Sequence, residues 1–120
     1  MDCIFCKIIN GEIPSYKIFE DDEILVFLDI NPVNPGHSLI IPKKHTLDIT
    51  TIDNDILIKI MNKAREISGI FEETLGASGF TLIQNNGNVQ EVKHFHLHVI
   101  PKYNKKKNLT IQEVYKLMTK

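Results

Sequence analysis

The chain has 120 residues, of which 42% are hydrophobic, and a formal net charge of -1 at neutral pH. That length and apolar content predict a single domain over residues 1–120 built on one core, and the near-neutral balance supplies no broad basic field for nucleic acid. No stretch reaches the roughly 18 uninterrupted apolar residues of a membrane span, and no basic-then-apolar signal segment opens the chain, so a cytoplasmic protein is expected.

In chain order, Cys3 to Asn10 reads as a short helix closed by Gly11, which suits a left-handed cap. Pro14 and Ser15 turn the chain. Lys17 to Glu20 and Glu23 to Ile30 read as two strands joined in a hairpin at Asp21-Asp22, and the turn formers NPVNPG, Asn31 to Gly36, end the second. A third strand, His37 to Pro42, carries Leu39 and Ile41 on the same side as His37.

A helical period then takes over, with Leu57, Ile60, Met61, Ala64, Ile67, Phe71 and Leu75 on one face. One amphipathic helix is predicted, started by a signal at Thr50 and Asp53 and stopped at Gly76. Phe80 to Asn85 is a fourth strand. The segment HFHLHVIP, His94 to Pro101, is a fifth, and Thr110 with Glu113 forms a capping box for a short terminal helix bearing Ile111, Val114, Tyr115 and Met118. Lys105-Lys106-Lys107 reads as a solvated loop. Hairpin-linked strands with one long helix inserted between the third and fourth predict an α+β fold with an antiparallel sheet.

Three groups carry chemistry. In HFHLHVIP the alternation of His94, His96 and His98 with Phe95, Leu97 and Val99 puts three imidazoles on one strand face, a pattern that points to metal binding or to chemistry on a ligand. The pair Cys3-x-x-Cys6 lacks the βαβ setting of a redox motif and fits zinc better. Its two further ligands would come from His45 and one member of the histidine row. Neither a P-loop nor a dinucleotide fingerprint is present, but the loop from Asn85 to Gln90 offers amide donors just before the histidines, and Asn85 and Gln90 are candidate nucleotide contacts.

HFHLHVIP resembles the histidine-triad signature of the HIT nucleotide hydrolases and transferases, and CIFCKIINGEIPSYKIFEDDEILVFLDINPVNPGHSLIIPKKH is similar to the amino-terminal half of the HINT-like branch. The resemblance implies a HIT-like fold: a five-stranded antiparallel sheet with one long helix and short terminal helices, paired in a homodimer into ten strands. It also implies cleavage of purine nucleoside 5'-phosphoramidates or related nucleoside monophosphate esters through a nucleotidyl-histidine. His96 would be the nucleophile, His98 would bind the phosphate oxygens, and His37 and Asn85 would help hold the phosphate. Asp29 matches the carboxylate that accepts hydrogen bonds from the ribose hydroxyls, and Phe5, Ile8, Ile13, Phe27 and Ile30 match positions that enclose the base. The zinc ligands implied are Cys3, Cys6, His45 and His94, a closed structural site. A dinucleoside polyphosphate hydrolase or nucleotidyl transferase is the alternative enzyme, and a nucleotide sensor without turnover is the non-catalytic one. A module that merely binds zinc would leave Asp29 unexplained.

Two stretches depart from the pattern. Val89-Gln90-Glu91 stands where relatives commonly carry Gly-Gln-Ser, in a connection about two residues shorter, and the carboxyl-terminal tail lacks a tryptophan and proline found in some relatives. A carboxylate aimed at a phosphate is repelled by about 1 to 4 kcal/mol at ~4 Å, so Glu91 is expected to point outward or to engage a basic leaving group.

Overall fold

A computed structural model describes residues 3–120. Helix α1 (Ile4–Ile9) is followed by strands β1 (Lys17–Glu20), β2 (Ile24–Leu28) and β3 (Ser38–Pro42), then helices α2 (Asn54–Gly69) and α3 (Phe71–Leu75). Strand β4 (Gly79–Gln84), a single 3-10 turn over Gly87–Val89, strand β5 (Leu97–Lys102) and helix α4 (Ile111–Met118) complete the order. The five strands form one antiparallel sheet in the order β1-β2-β3-β5-β4. The expected α+β architecture is therefore present.

The strand period of two sorts side chains between the faces of this sheet. Ile24, Val26, Leu28, Ile40, Leu97 and Val99 meet the buried side chains of α2, α3 and α4 on one face, whereas Leu25, Phe27, Leu39 and Ile41 meet Phe5 and Ile8 of α1 on the other. The uninterrupted run ILVFL is buried at every position because both faces are covered. Phe95 packs with the first set, so His94, His96 and His98 face the side covered by α1, as the alternation predicts.

Four expectations need correction. The long helical segment is two helices, because α2 ends at Gly69 and Ile70 leaves helical geometry at φ -104° and ψ -1°. Gly and β-branched Ile are weak helix formers, and the break allows Phe71 and Leu75 to enter the core at 1% and 2% exposure. Met61, assigned to the buried face, is exposed. The helix start is also simpler than expected: Asp53 caps α2 by accepting from the Asp55 N–H, while Thr50 belongs to a preceding turn in which Asp48 accepts from both its N–H and its hydroxyl. Finally, ladder pairing in the last strand begins at Leu97, so His94 and His96 precede it in an extended segment anchored by the bond from Phe95 N–H to the Thr46 carbonyl. The terminal capping box over Thr110 and Glu113 is formed as predicted.

A candidate active site beside a candidate metal centre

The position of His37 is set by the turn before it. Asn34 donates to the Pro101 carbonyl and the Tyr103 hydroxyl donates to the Pro35 carbonyl, at 3.0 and 2.7 Å, which ties the NPVNPG turn to the end of β5. Gly36 has φ 94°, and a Cβ there would lie 2.6 Å from Leu75 Cδ1 and 2.8 Å from Pro101 Cγ, so both conformation and space require glycine. The next residue, His37, is buried and its ring meets that of His98.

Hydrogen bonds fix the protons on these rings. The Val33 N–H donates to His37 Nδ1 at 3.1 Å, so the neutral His37 ring carries its proton on Nε2. That nitrogen lies 2.9 Å from His98 Nδ1, which must then accept. His98 is thus left with its proton on Nε2. His96 is arranged the opposite way, since its Nδ1 lies 2.8 Å from the His94 carbonyl oxygen, an atom that can only accept. Its Nε2 keeps a lone pair. Burial, the largest cause in both cases, pushes His98 down to about 4 and lowers His37, with Asp29 opposing the shift in each; both rings are neutral near pH 7.

His96 and His98 open into a cavity of about 310 Å3 whose apolar wall includes Phe5, Ile8, Ile13, Phe27 and Ile30 and whose rim carries Asp29. Phe27 pairs with Leu39 and Leu39 with His98, so the strand register places the apolar wall and the imidazoles side by side. Asp29 accepts from the Asn31 N–H at 2.8 Å, and its other oxygen lies 3.6 Å from His37 Nε2. A neighbouring cavity of about 300 Å3 is lined by His37, His98, Asp29, Asn85 and Glu91. All the expected pocket residues but one therefore converge here. The exception is Gln90, which is buried at 4% exposure and donates its side-chain amide to the Leu47 carbonyl at 2.6 Å. It supports the loop instead of lining either cavity.

On the other side of His96, Cys3, Cys6, His45 and His94 bring their ligand atoms within 4.8 Å of one another, close enough to hold one metal ion. Cys3 caps α1 by accepting from the Cys6 N–H, and this cap turns the two sulfurs to the same side. His94 Nδ1 lies 3.4 Å from Cys3 Sγ and 3.7 Å from Cys6 Sγ, and His45 Nδ1 lies 3.3 Å from Cys6 Sγ. The remaining His94 nitrogen, Nε2, is 2.8 Å from the Pro42 carbonyl and donates to it, leaving Nδ1 as an electron-pair donor toward the sulfurs. Burial holds His94 at about 4, in its neutral form, and burial together with Cys3 raises the Cys6 thiol.

Two contributors have no sequence signal, because the Pro42 carbonyl and the Val33 N–H act through the backbone. The Ser15 hydroxyl, beside the apolar cavity, is buried without a hydrogen-bond partner among the described residues.

The HIT domain matches residues 10–105. An uncharacterized HIT-like protein of Methanocaldococcus jannaschii is 46% identical over 103 residues, 84% of this chain and 79% of that protein. The adenosine 5'-monophosphoramidase HNT1 of Saccharomyces cerevisiae is 40% identical over 111 residues, 91% of this chain and 68% of the yeast protein. Among solved structures, a Zn-bound histidine triad family protein from Mycobacterium smegmatis has a TM-score of 0.91 at 34% identity, covering 99% of this chain and 91% of that chain. With His98 on β5 of a five-stranded sheet, His94 and His96 in the segment that leads into it, and the HIT domain matched over residues 10–105, the chain belongs to the HIT family.

Proposed function

We propose that the protein hydrolyses purine nucleoside 5'-phosphoramidates in two steps through a nucleotidyl-His96 intermediate. The observation that carries this reading is the opposed protonation of two neighbouring rings: His96 keeps a lone pair on Nε2, and His98, 5.0 Å away between ring centroids, keeps a proton on its own Nε2. A nucleophile beside a proton donor is what displacement at phosphorus requires. The relative named as an adenosine 5'-monophosphoramidase supports the choice of bond.

In this reading the base lies against Phe5, Ile8, Ile13, Phe27 and Ile30, the ribose hydroxyls donate to Asp29, and the phosphate reaches His98 and Asn85. His98 stays neutral, its Nδ1 accepting from His37, and donates Nε2–H to a phosphate oxygen, while the substrate enters with its phosphoramidate nitrogen protonated. His96 Nε2 attacks the phosphorus and the phosphorus–nitrogen bond breaks. The amine departs with the proton it brought, while the nucleotidyl-imidazolium keeps Nδ1–H on the His94 carbonyl. Water then attacks phosphorus and loses a proton to the solvent, and His96 leaves as neutral imidazole. His37 acts by holding the His98 ring in the required tautomer.

Zinc fits the four-residue cluster. Bonds of about 2.3 Å to sulfur and about 2.0 to 2.1 Å to nitrogen place tetrahedral S and N ligands roughly 3.5 Å apart, and three of the four sulfur–nitrogen separations run from 3.3 to 3.7 Å. With four protein ligands such a site is closed and structural, and the relative described as Zn-bound supports the assignment. Its ligand His94 also supplies the carbonyl that orients His96. We propose further that the chain is one domain, a reading supported by a single sheet whose two faces are both covered by its own helices, and that it works in the cytoplasm, where free thiols such as Cys3 and Cys6 stay reduced. It would work as a two-fold dimer through β4, whose Phe80, Leu82 and Ile83 are exposed on an edge strand.

Incubation with adenosine 5'-phosphoramidate tests the activity, and release of AMP and ammonia in equal amounts is expected. Thermal stabilisation by AMP without any turnover would instead make the protein a nucleotide sensor.

A further inference from the structure

We infer that Glu91 selects the leaving group, favouring amines that carry an additional positive charge and disfavouring anionic ones. The inference rests on the phosphoramidase reading and adds to it the substrate class.

In-line displacement puts the departing atom on the side of phosphorus opposite His96. The cavity lined by His37, His98, Asn85 and Glu91 does not include His96 or the apolar base wall; with the phosphate at His98 and Asn85, the part bordered by Glu91 is left for the leaving group. Glu91 also borders the base cavity and a third hollow of about 560 Å3 lined by Cys3, His45 and Lys93 as well. Any group leaving the phosphorus by these routes passes this carboxylate.

The position of Glu91 is held from both sides. Gln90 is buried and bonded to the Leu47 carbonyl, and Val92 packs against the core beneath α1. Its charge is also uncommitted, because among the described residues it makes no ion pair or side-chain hydrogen bond. The nearest basic residue in sequence, Lys93, donates instead to the Gly87 carbonyl at 2.6 Å. Asp29, the other carboxylate facing this compartment, is engaged by the Asn31 N–H and lies beside His37. Among the described residues neither cavity is lined by a lysine or arginine; the cation that acts on His37, Lys102, lies outside the lining. A compartment with two carboxylates and no cationic side chain repels polyphosphate, sulfate or carboxylate leaving groups and attracts an ammonium.

The test compares three phosphoramidates of adenosine 5'-monophosphate made with propylamine, 1,3-diaminopropane and β-alanine. They present neutral, cationic and anionic leaving groups of similar length. For the wild type kcat/KM is expected to fall in the order cationic, neutral, anionic, by roughly tenfold per step at low salt, with smaller ratios at high ionic strength. Glu91→Gln should bring the ratios close to one, and Glu91→Lys should reverse the order. Ratios that stay the same in wild type and both variants, or in the glutamine variant alone if the lysine variant fails to fold, overturn the role of Glu91 while leaving the phosphoramidase reading in place. If the wild type hydrolyses none of the three and no adenosine 5'-phosphoramidate either, the phosphoramidase reading falls and this inference falls with it.

Discussion

The Nδ1–H of His96 donates to the carbonyl oxygen of His94 at 2.8 Å, so a candidate metal ligand sets the tautomer of the proposed nucleophile two residues away. Through this bond the candidate metal centre and the proposed catalytic site share one segment of backbone. His94 is itself fixed by its bond to the Pro42 carbonyl, at the end of β3.

Because the two sites are coupled, losing a metal ligand should affect both. Protein purified without added metal should contain close to one equivalent of zinc by elemental analysis. Cys6→Ala should lower that content severalfold and reduce the unfolding midpoint by on the order of 10 °C, because a closed structural site contributes directly to folding. It should also slow turnover, since the His94 carbonyl is no longer held. A variant with full stability and well under one equivalent of zinc in the parent protein would contradict the structural assignment.

Burial of His98 gives a pH dependence whose sign is fixed. Its folded value is about 4, against about 6.5 for an unperturbed histidine. Between these values the unfolded chain binds the proton and the folded chain does not, so stability rises with pH through this window and is level above it. The contribution of this one ring is up to about 3 kcal/mol. Urea denaturation between pH 4 and pH 7.5 should show that slope in the wild type and a shallower one in His98→Asn. Equal slopes in the two proteins would count against the buried neutral ring.

An apolar edge strand predicts association. Phe80, Leu82 and Ile83 on β4 are 49%, 38% and 39% exposed, and pairing two copies at this edge would cover them and continue the sheet to ten strands. Light scattering at micromolar concentration should give twice the chain mass, and Leu82→Lys should shift the population toward the monomer. A monomer for the wild type would refute the dimer.

Much of the site is legible in local spacing. The alternation of His94, His96 and His98 with apolar residues places the rings on one face because β geometry alone decides that, and Cys3-x-x-Cys6 places both sulfurs together because one helical turn does so. The break at Ile70 is hard to read because the apolar period runs through it, and Gly69-Ile70, although weak helix formers, end the helix only where Phe71 also enters the core. Gln90 misleads for a related reason: composition marks a loop as rich in amides but does not say which side of the loop each faces, and here the Leu47 carbonyl claims the side chain. The protonation of His37 depends on an N–H from a turn whose closure is set by distant Pro101, which no short motif encodes.

In the proposed reaction His96 Nε2 forms the bond to phosphorus. Mixing the protein with adenosine 5'-phosphoramidate, quenching within milliseconds and determining the intact mass at mildly alkaline pH, where a phosphorus–nitrogen bond survives, tests it most directly. One added adenylyl group is expected, mapped by peptide fragmentation to His96, with no adduct or turnover in His96→Gly although that variant still binds AMP. An adduct on any other residue, or a glycine variant that turns over at the wild-type rate, would contradict it.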